Sequence, residues 1–215
     1  MSKIQQTAHE RRQRRGGAEL RTAILEAASE IFLEEGYQGA SIEAVIGKVG
    51  GSKRAIYSHF GGKKELFLAL VAEASSKVIG GTSPENVEGK DIRDTLRTFG
   101  LQVTRVLMAP TTLGLYRAVI AEGARQPDVA QEFFENGPGR VSESLAQVLE
   151  RFQARGAISI KDSARAAERF VGMLRDDLYL RVVLGLRAPL DETEMVESVE
   201  QAVAIFMHGI AARDS

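Results

Sequence analysis

The chain has 215 residues, 44% of them hydrophobic and 27% charged, with a formal net charge of −1, the balance of an ordinary globular protein. It contains no cysteine, which excludes disulfide staples, thiolate metal sites and a cysteine nucleophile. There is no run of about 18 apolar residues to span a bilayer, and the polar, arginine-rich start lacks the apolar segment of a signal peptide. No membrane partner and a cytoplasmic location are therefore expected.

Residues 1–17 (MSKIQQTAHERRQRRGG) show no apolar periodicity and are expected to form a basic, disordered arm. From Ala18 the pattern turns helical, with Ile24, Leu25, Ala28, Ile31 and Phe32 on one face and Gly36 as the stop. A short helix follows with Ser41 as N-cap and Ile42, Val45, Ile46 and Val49 facing inward. Gly50-Gly51 marks a turn, Ser52 caps a third helix, and Gly61-Gly62 ends it. Leu66, Phe67, Leu70, Val71 and Ala74 then mark a longer amphipathic helix, and residues 80–89 read as a loop. Helices are expected over 91–109, 111–125, 128–136, 138–155, 162–186 and 191–212, with Pro110, Pro127, Pro138 and Pro189 at the seams. The fold class is all-α. An N-terminal helix-turn-helix over 18–62 is followed by a helical ligand-binding and dimerisation body over 63–215.

Charge is unevenly placed along this order. Residues 1–64 carry 11 Lys/Arg against 7 Glu, a net of +4, and the remainder carries 17 basic against 22 acidic residues, a net of −5. A basic front on an acidic body points the front toward a polyanion.

Three short helices, two of them joined by a glycine turn, make a helix-turn-helix. Such a unit lays its last helix in the major groove, with the N-terminal side chains aimed at base edges. Ser52, Lys53, Arg54 and Ala55 occupy that first turn. Arg54 is the candidate for bidentate readout of guanine, and Ala55 can offer a methyl contact to thymine. Tyr57 and His59 further along, with Ser41 and Lys63 at neighbouring helix starts, suit phosphate contacts. Ile56 and Phe60 fall on the apolar side and read as core. Arg11, Arg12, Arg14 and Arg15 suit a flanking minor groove, against the alternative of a solvated charge run.

The segment GYQGASIEAVIGKVGGSKRAIYSHFGGKKELF, residues 36–67, resembles the DNA-binding domain of the tetracycline-repressor (TetR) family. Gly50, Ser52, Tyr57, His59, Phe60, Lys63 and Leu66 match that pattern in type and spacing. The resemblance implies Tyr57, His59 and Lys63 on phosphates and residues 53–55 on bases. Arg54 stands where the family commonly has glycine, and Gly51 where it usually has an apolar residue, so the operator sequence is this chain's own. The segment LYRAVIAEGARQPDVAQEFFENGP is also similar to the body of the AefR/AcrR-like subgroup. The family implies a homodimer on a near-palindromic double-stranded DNA operator, and a small-molecule effector that shifts the helix after the recognition helix and releases the DNA.

The body shows no phosphate loop, nucleophile elbow or spaced metal ligands, and His9, His59 and His208 form no ligand motif. No enzymatic activity, cofactor or metal is expected. Val196, Val199, Val203, Phe206, Met207 and Ile210 form one stripe on the last helix. Phe170, Val171, Met173, Leu174, Leu178 and Val182 make the preceding helix apolar on more than one side, which suits a two-fold interface or, alternatively, the monomer's own core. On the 162–186 helix Asp177 shares a face with Phe170, Met173 and Leu174, and Arg117 shares one with Leu113 and Ile120. Asp177 or Asp176 either pairs with a nearby arginine, such as Arg181 or, across helices, Arg117, or these charged groups line a mainly apolar pocket with Tyr116 and Met173. Two rival readings are a helical small-molecule-binding protein or enzyme with incidental DNA binding, and a non-specific architectural DNA protein.

Overall fold

The computed structural model describes residues 3–50, 52–81 and 91–210, and among them every regular element is a helix. In order these are α1 (Lys3–Gly39), α2 (Ile42–Val49), α3 (Lys53–Phe60), α4 (Lys63–Gly81), α5 (Ile92–Met108), α6 (Pro110–Glu122) and α7 (Pro127–Phe134). A single π turn (Glu135–Gly139) leads into α8 (Arg140–Ala154), followed by α9 (Ser163–Met173), α10 (Asp177–Val183) and α11 (Glu192–Ile210).

The local rules locate the front of the molecule. In α2 the Ser41 hydroxyl accepts the Ala44 N–H at 3.1 Å, and the Gly50 N–H closes the helix onto Ile46 O at 2.8 Å. Gly36 is reached with φ +69° and ψ −176°, a conformation essentially confined to glycine, so the expected stop is a kink followed by one further turn to Gly39.

Several elements differ from expectation. The first helix begins at Lys3 and not at Ala18, in place of a disordered arm. Gln, Arg, Glu and Ala cost a helix little, and one already nucleated over 24–32 propagates through them without an apolar face of its own. The 162–186 helix is two helices: α9 closes at Leu174, and the Asp176 carboxylate accepts the Tyr179 N–H at 3.1 Å to start α10. An aspartate cap satisfies an otherwise orphaned donor, and it wins over a periodicity that suits one continuous helix equally well. Pro138 lies inside the π turn, so α7 and α8 are joined and not separated. Helix α4 continues through Gly80 and Gly81, the first two residues of the loop expected at 80–89; residues 82–90, like Gly51, lie outside the described residues.

Two large cores and one small one hold the helices. The first joins Ile24, Ile31, Phe32, Val45 and Ile56 of α1–α3 to Leu66, Phe67 and Leu70 of α4, and continues into Leu115 of α6 and Phe133 of α7. The second packs Leu96 and Phe99 of α5 with Leu145 and Leu149 of α8, Phe170 of α9, and Val199, Val203 and Phe206 of α11. The α11 stripe thus fills the monomer's own core. Glu197, Gln201, Ile205 and His208 are among the residues that α11 leaves outward. The third core gathers Met108, Leu113, Tyr179, Val182 and Met195.

Helices α1 and α6 approach most closely at Gly114. A Cβ there would fall 2.8 Å from Leu33 Cδ1 and 3.1 Å from Leu33 Cα, the latter a backbone atom that cannot step aside. Gly114→Val is therefore expected to cost about 1–3 kcal/mol through overpacking. The check is a lower urea midpoint at unchanged slope; an unmoved midpoint would refute the tight approach.

Candidate nucleic-acid interface and ligand crevice

Helix α3 is held from below and bare above. Ile56 is buried in the first core and Phe60 packs against its edge, with the Arg21 guanidinium 5.3 Å from the Phe60 ring centroid. Ser52, Lys53, Arg54, Tyr57 and His59 all face outward. Ser52 caps α3 by position but its hydroxyl makes no capping bond. Lys53 is paired with Glu43 of α2, which raises the lysine and lowers the glutamate relative to their ordinary pKa values. Arg54 has no hydrogen bond or ion pair among the described residues. Tyr57 is 48% exposed although aromatic, and the His59 ring sits 6.3 Å from that of Phe60. One helix thus presents a cation, a phenol, an imidazole and a hydroxyl to solvent, the mix that contacts phosphates and base edges.

Two of the expected DNA-facing groups also serve the protein itself. Ser41 is engaged as the α2 cap. Lys63, at the start of α4, turns back: its Nζ donates to Gln38 O at 3.1 Å and lies 4.8 Å from the Tyr37 ring centroid. Partial burial draws this lysine below its ordinary pKa range, and the Glu122 charge opposes that shift. Glu122 is itself buried and accepts Gln38 Nε2 at 2.9 Å, so Lys63, Gln38 and Glu122 connect α4, the end of α1 and the end of α6. The side chains of Ala55, Arg11, Arg12, Arg14 and Arg15 lie outside the described part; their backbones belong to α3 and α1.

Behind the first core lies a narrow, partly open crevice. Val71, Ala74, Ser75 and Val78 of α4 form one wall, Val103 and Val106 of α5 another, and Tyr116, Phe133, Val141 and Val171 close it. Ser75 is not free in it, because its hydroxyl donates within reach of Val71 O and Asn136 O. Its apolar walls with a few polar groups among them are the lining chemistry of a small-molecule site.

Of the four residues expected to line a pocket, the fold brings only Tyr116 to the crevice. Arg117 points the other way and donates to Val183 O at 2.8 Å and Val182 O at 2.7 Å, satisfying carbonyls at the C-terminal end of α10. Met173 packs against the second core. Asp177 is exposed and accepts Arg181 Nε at 2.6 Å, because the break at Asp176 rotates it off the Met173 face. The crevice residue that sequence reasoning missed is Arg175. Its signal was available in Asp176, a capping residue type between two apolar runs. No cluster of metal-ligating side chains occurs among the described residues, nor is any helix among them long and apolar enough to cross a membrane.

Comparison with known proteins matches both halves. Residues 24–70 match the family model of bacterial regulatory proteins of the tetR family, and residues 94–209 match that of the AefR-like transcriptional repressor C-terminal domain. The chain is 30% identical over 139 residues to the HTH-type transcriptional regulator UidR of Escherichia coli K12, covering 65% of this chain and 69% of that one. A TetR-family regulator of Mesorhizobium loti superposes with a TM-score of 0.77 at 26% identity, over 91% of this chain and 98% of that one. The flavonoid-responsive regulator FrrA superposes with a TM-score of 0.70 at 27% identity, over 92% of this chain and all of that one. With the helix-turn-helix and more than half of the chain beyond it matching models of one family, this protein belongs to the TetR family of DNA-binding transcription regulators, and not to a family of enzymes.

Proposed function

We propose that the protein is a repressor that binds a near-palindromic operator as a homodimer and is released by a small-molecule effector. One observation carries this reading: α4 belongs to both working parts. Its first half, Leu66, Phe67 and Leu70, is packed into the core under α3, and its second half, from Val71 to Val78, is a wall of the crevice. A ligand that widens the crevice pushes on the helix that seats the recognition helix. It shifts the equilibrium only as far as its affinity differs between the two positions of α4. The Lys63–Gln38–Glu122 connection gives the shift a second polar route to the same place.

In this reading residues 18–62 read DNA, residues 63–215 bind ligand and dimerise, and α1 ahead of residue 18 carries Arg11, Arg12, Arg14 and Arg15 toward a flanking groove. Arg54 and Ala55 read bases, with Ser52 and Lys53 beside them, while Ser41, Tyr57, His59 and Lys63 hold phosphates. Dimerisation is supported by large apolar side chains left outward on and beside the last helices, Leu180, Leu184, Leu186 and Ile205. Repression is supported by the description of the matched C-terminal domain and effector response by that of the similar regulator FrrA.

The test is retention of DNA lying upstream of the protein's own gene in the presence of random competitor, with size measured in parallel. A repressor prefers one fragment by roughly 10³-fold or more and binds it as a dimer, whereas equal retention of random DNA would leave only an architectural role. The same titration across salt, repeated without residues 1–15, reads the arm; an unchanged slope would remove those arginines from the DNA contact.

A further inference from the structure

The crevice is lined mostly by apolar side chains, with Ser75, Thr112, Tyr116 and Arg175 as its polar ones. Among the residues that line it Arg175 is the only charged one. It occupies the break between α9 and α10, where its backbone N–H donates to Gly172 O at 3.0 Å, but its guanidinium has no hydrogen bond or ion pair among the described residues. The neighbouring carboxylates are engaged elsewhere, Asp176 with Tyr179 N and Ser198 Oγ, and Asp177 with Arg181. Tyr116 also lines the crevice, and its phenol likewise has no hydrogen-bond partner among the described residues. The Tyr179 ring stands edge-on to it at 5.7 Å, with a buried hydroxyl that makes no hydrogen bond. Burial pushes the Tyr179 phenol far up, with the charges of Arg175 and Arg117 opposing, so it remains a protonated donor.

Arg175 is partly exposed, and where its guanidinium faces the apolar wall no described residue pairs with it, so an anion there would gain a partner without displacing one. Its planar fork of donors matches a carboxylate in two parallel bonds. A dianionic headgroup would leave one negative charge unmatched, since the lining offers a single cation. We propose that the effector is an amphipathic carboxylate, with an apolar or aromatic body between α4, α5 and α8 and its carboxylate on Arg175 beside the Tyr116 hydroxyl. The inference rests on the reading of this crevice as the effector site and adds the chemical class that the site takes.

The experiment compares acids with their neutral amides on the full-length protein by titration calorimetry. The probes are decanoate against decanamide and 4-phenylbutyrate against 4-phenylbutanamide. At least one acid is expected to bind tenfold or more tighter than its amide, and Arg175→Gln is expected to abolish that preference by weakening the acid far more than the amide. Thermal melting of the variant by circular dichroism is expected to match or exceed that of the unaltered protein, because the change removes a charge that has no hydrogen bond or ion pair among the described residues and keeps most of the side chain's length. Equal binding of acid and amide, a preference that survives Arg175→Gln, or no binding of any of the four at millimolar concentration overturns the proposal. A lowered melting temperature with the preference retained assigns Arg175 to structure instead and overturns it too. Failure of the effector reading itself looks different: a probe then binds with the expected preference and leaves operator retention unchanged.

Discussion

Phe67→Ala is expected to lower the unfolding free energy by about 3–5 kcal/mol, the range for truncating a fully buried phenylalanine. Phe67 has no exposed surface, and its ring meets Phe32 at 5.2 Å, Tyr37 at 5.1 Å and Phe133 at 6.3 Å. These rings come from α1, α4 and α7, so the cavity would open where the DNA-reading helices join the body. The loss is measured by urea unfolding at a fixed protein concentration, since a dimer's apparent stability depends on it. Ile120→Ala is the control: that side chain is 61% exposed, and its change is expected to stay within about 0.5 kcal/mol. Equal, small effects from both would mean that the core does not pass through Phe67. Operator retention by Phe67→Ala should also fall well below the mutant's folded fraction, because the seat of α3 is loosened in molecules that remain folded.

The second large effect is on specificity. Arg54→Ala is expected to erase preference at one base position of each operator half-site, a loss of about 1–3 kcal/mol there, or roughly fivefold to over a hundredfold in discrimination. The exposed and unpaired guanidinium at the start of α3 motivates it. His59→Ala should weaken every sequence alike, because a phosphate carries no sequence information. Binding to a set of fragments with single base-pair changes decides between them. A uniform loss from Arg54→Ala would move Arg54 from the bases to the backbone. Lys63→Ala differs from both: it removes a bond to Gln38 O and a cation over Tyr37 as well as any phosphate contact, so it should lower the melting temperature in addition to affinity.

Much of the front of the molecule is legible without coordinates because its determinants are local. Ser41 caps the segment that follows it, and the Gly50 N–H ends that segment four residues on from its Ile46 acceptor. Ile56 and Phe60 fall on one side of an eight-residue helix simply from spacing, which leaves Arg54, Tyr57 and His59 on the other. The family resemblance over residues 36–67 rests on the same short-range features and is matched by the family model over 24–70.

The body is harder to read, since periodicity reports which residues are apolar and not what they meet. The stripe Val199, Val203 and Phe206 suits a dimer seam or a monomer core equally well, and the fold buries all three within the chain. Asp177 shares a face with Met173 only while the helix is continuous; a cap at Asp176 turns it outward to Arg181. Arg117 could not be placed from spacing, because its acceptors are the carbonyls of Val182 and Val183, far along the chain.

The sequence by itself therefore determined the all-α class, the helix-turn-helix and the identity of its outward residues, because caps, turns and helical spacing act over a few residues. Only the tertiary structure decided that α4 is common to the DNA-reading core and the crevice, that Lys63 leans back on Gln38, and that Arg175 stands unpaired against apolar walls. Those three facts depend on which distant helices pack together, and packing is settled by shape and burial across the whole chain.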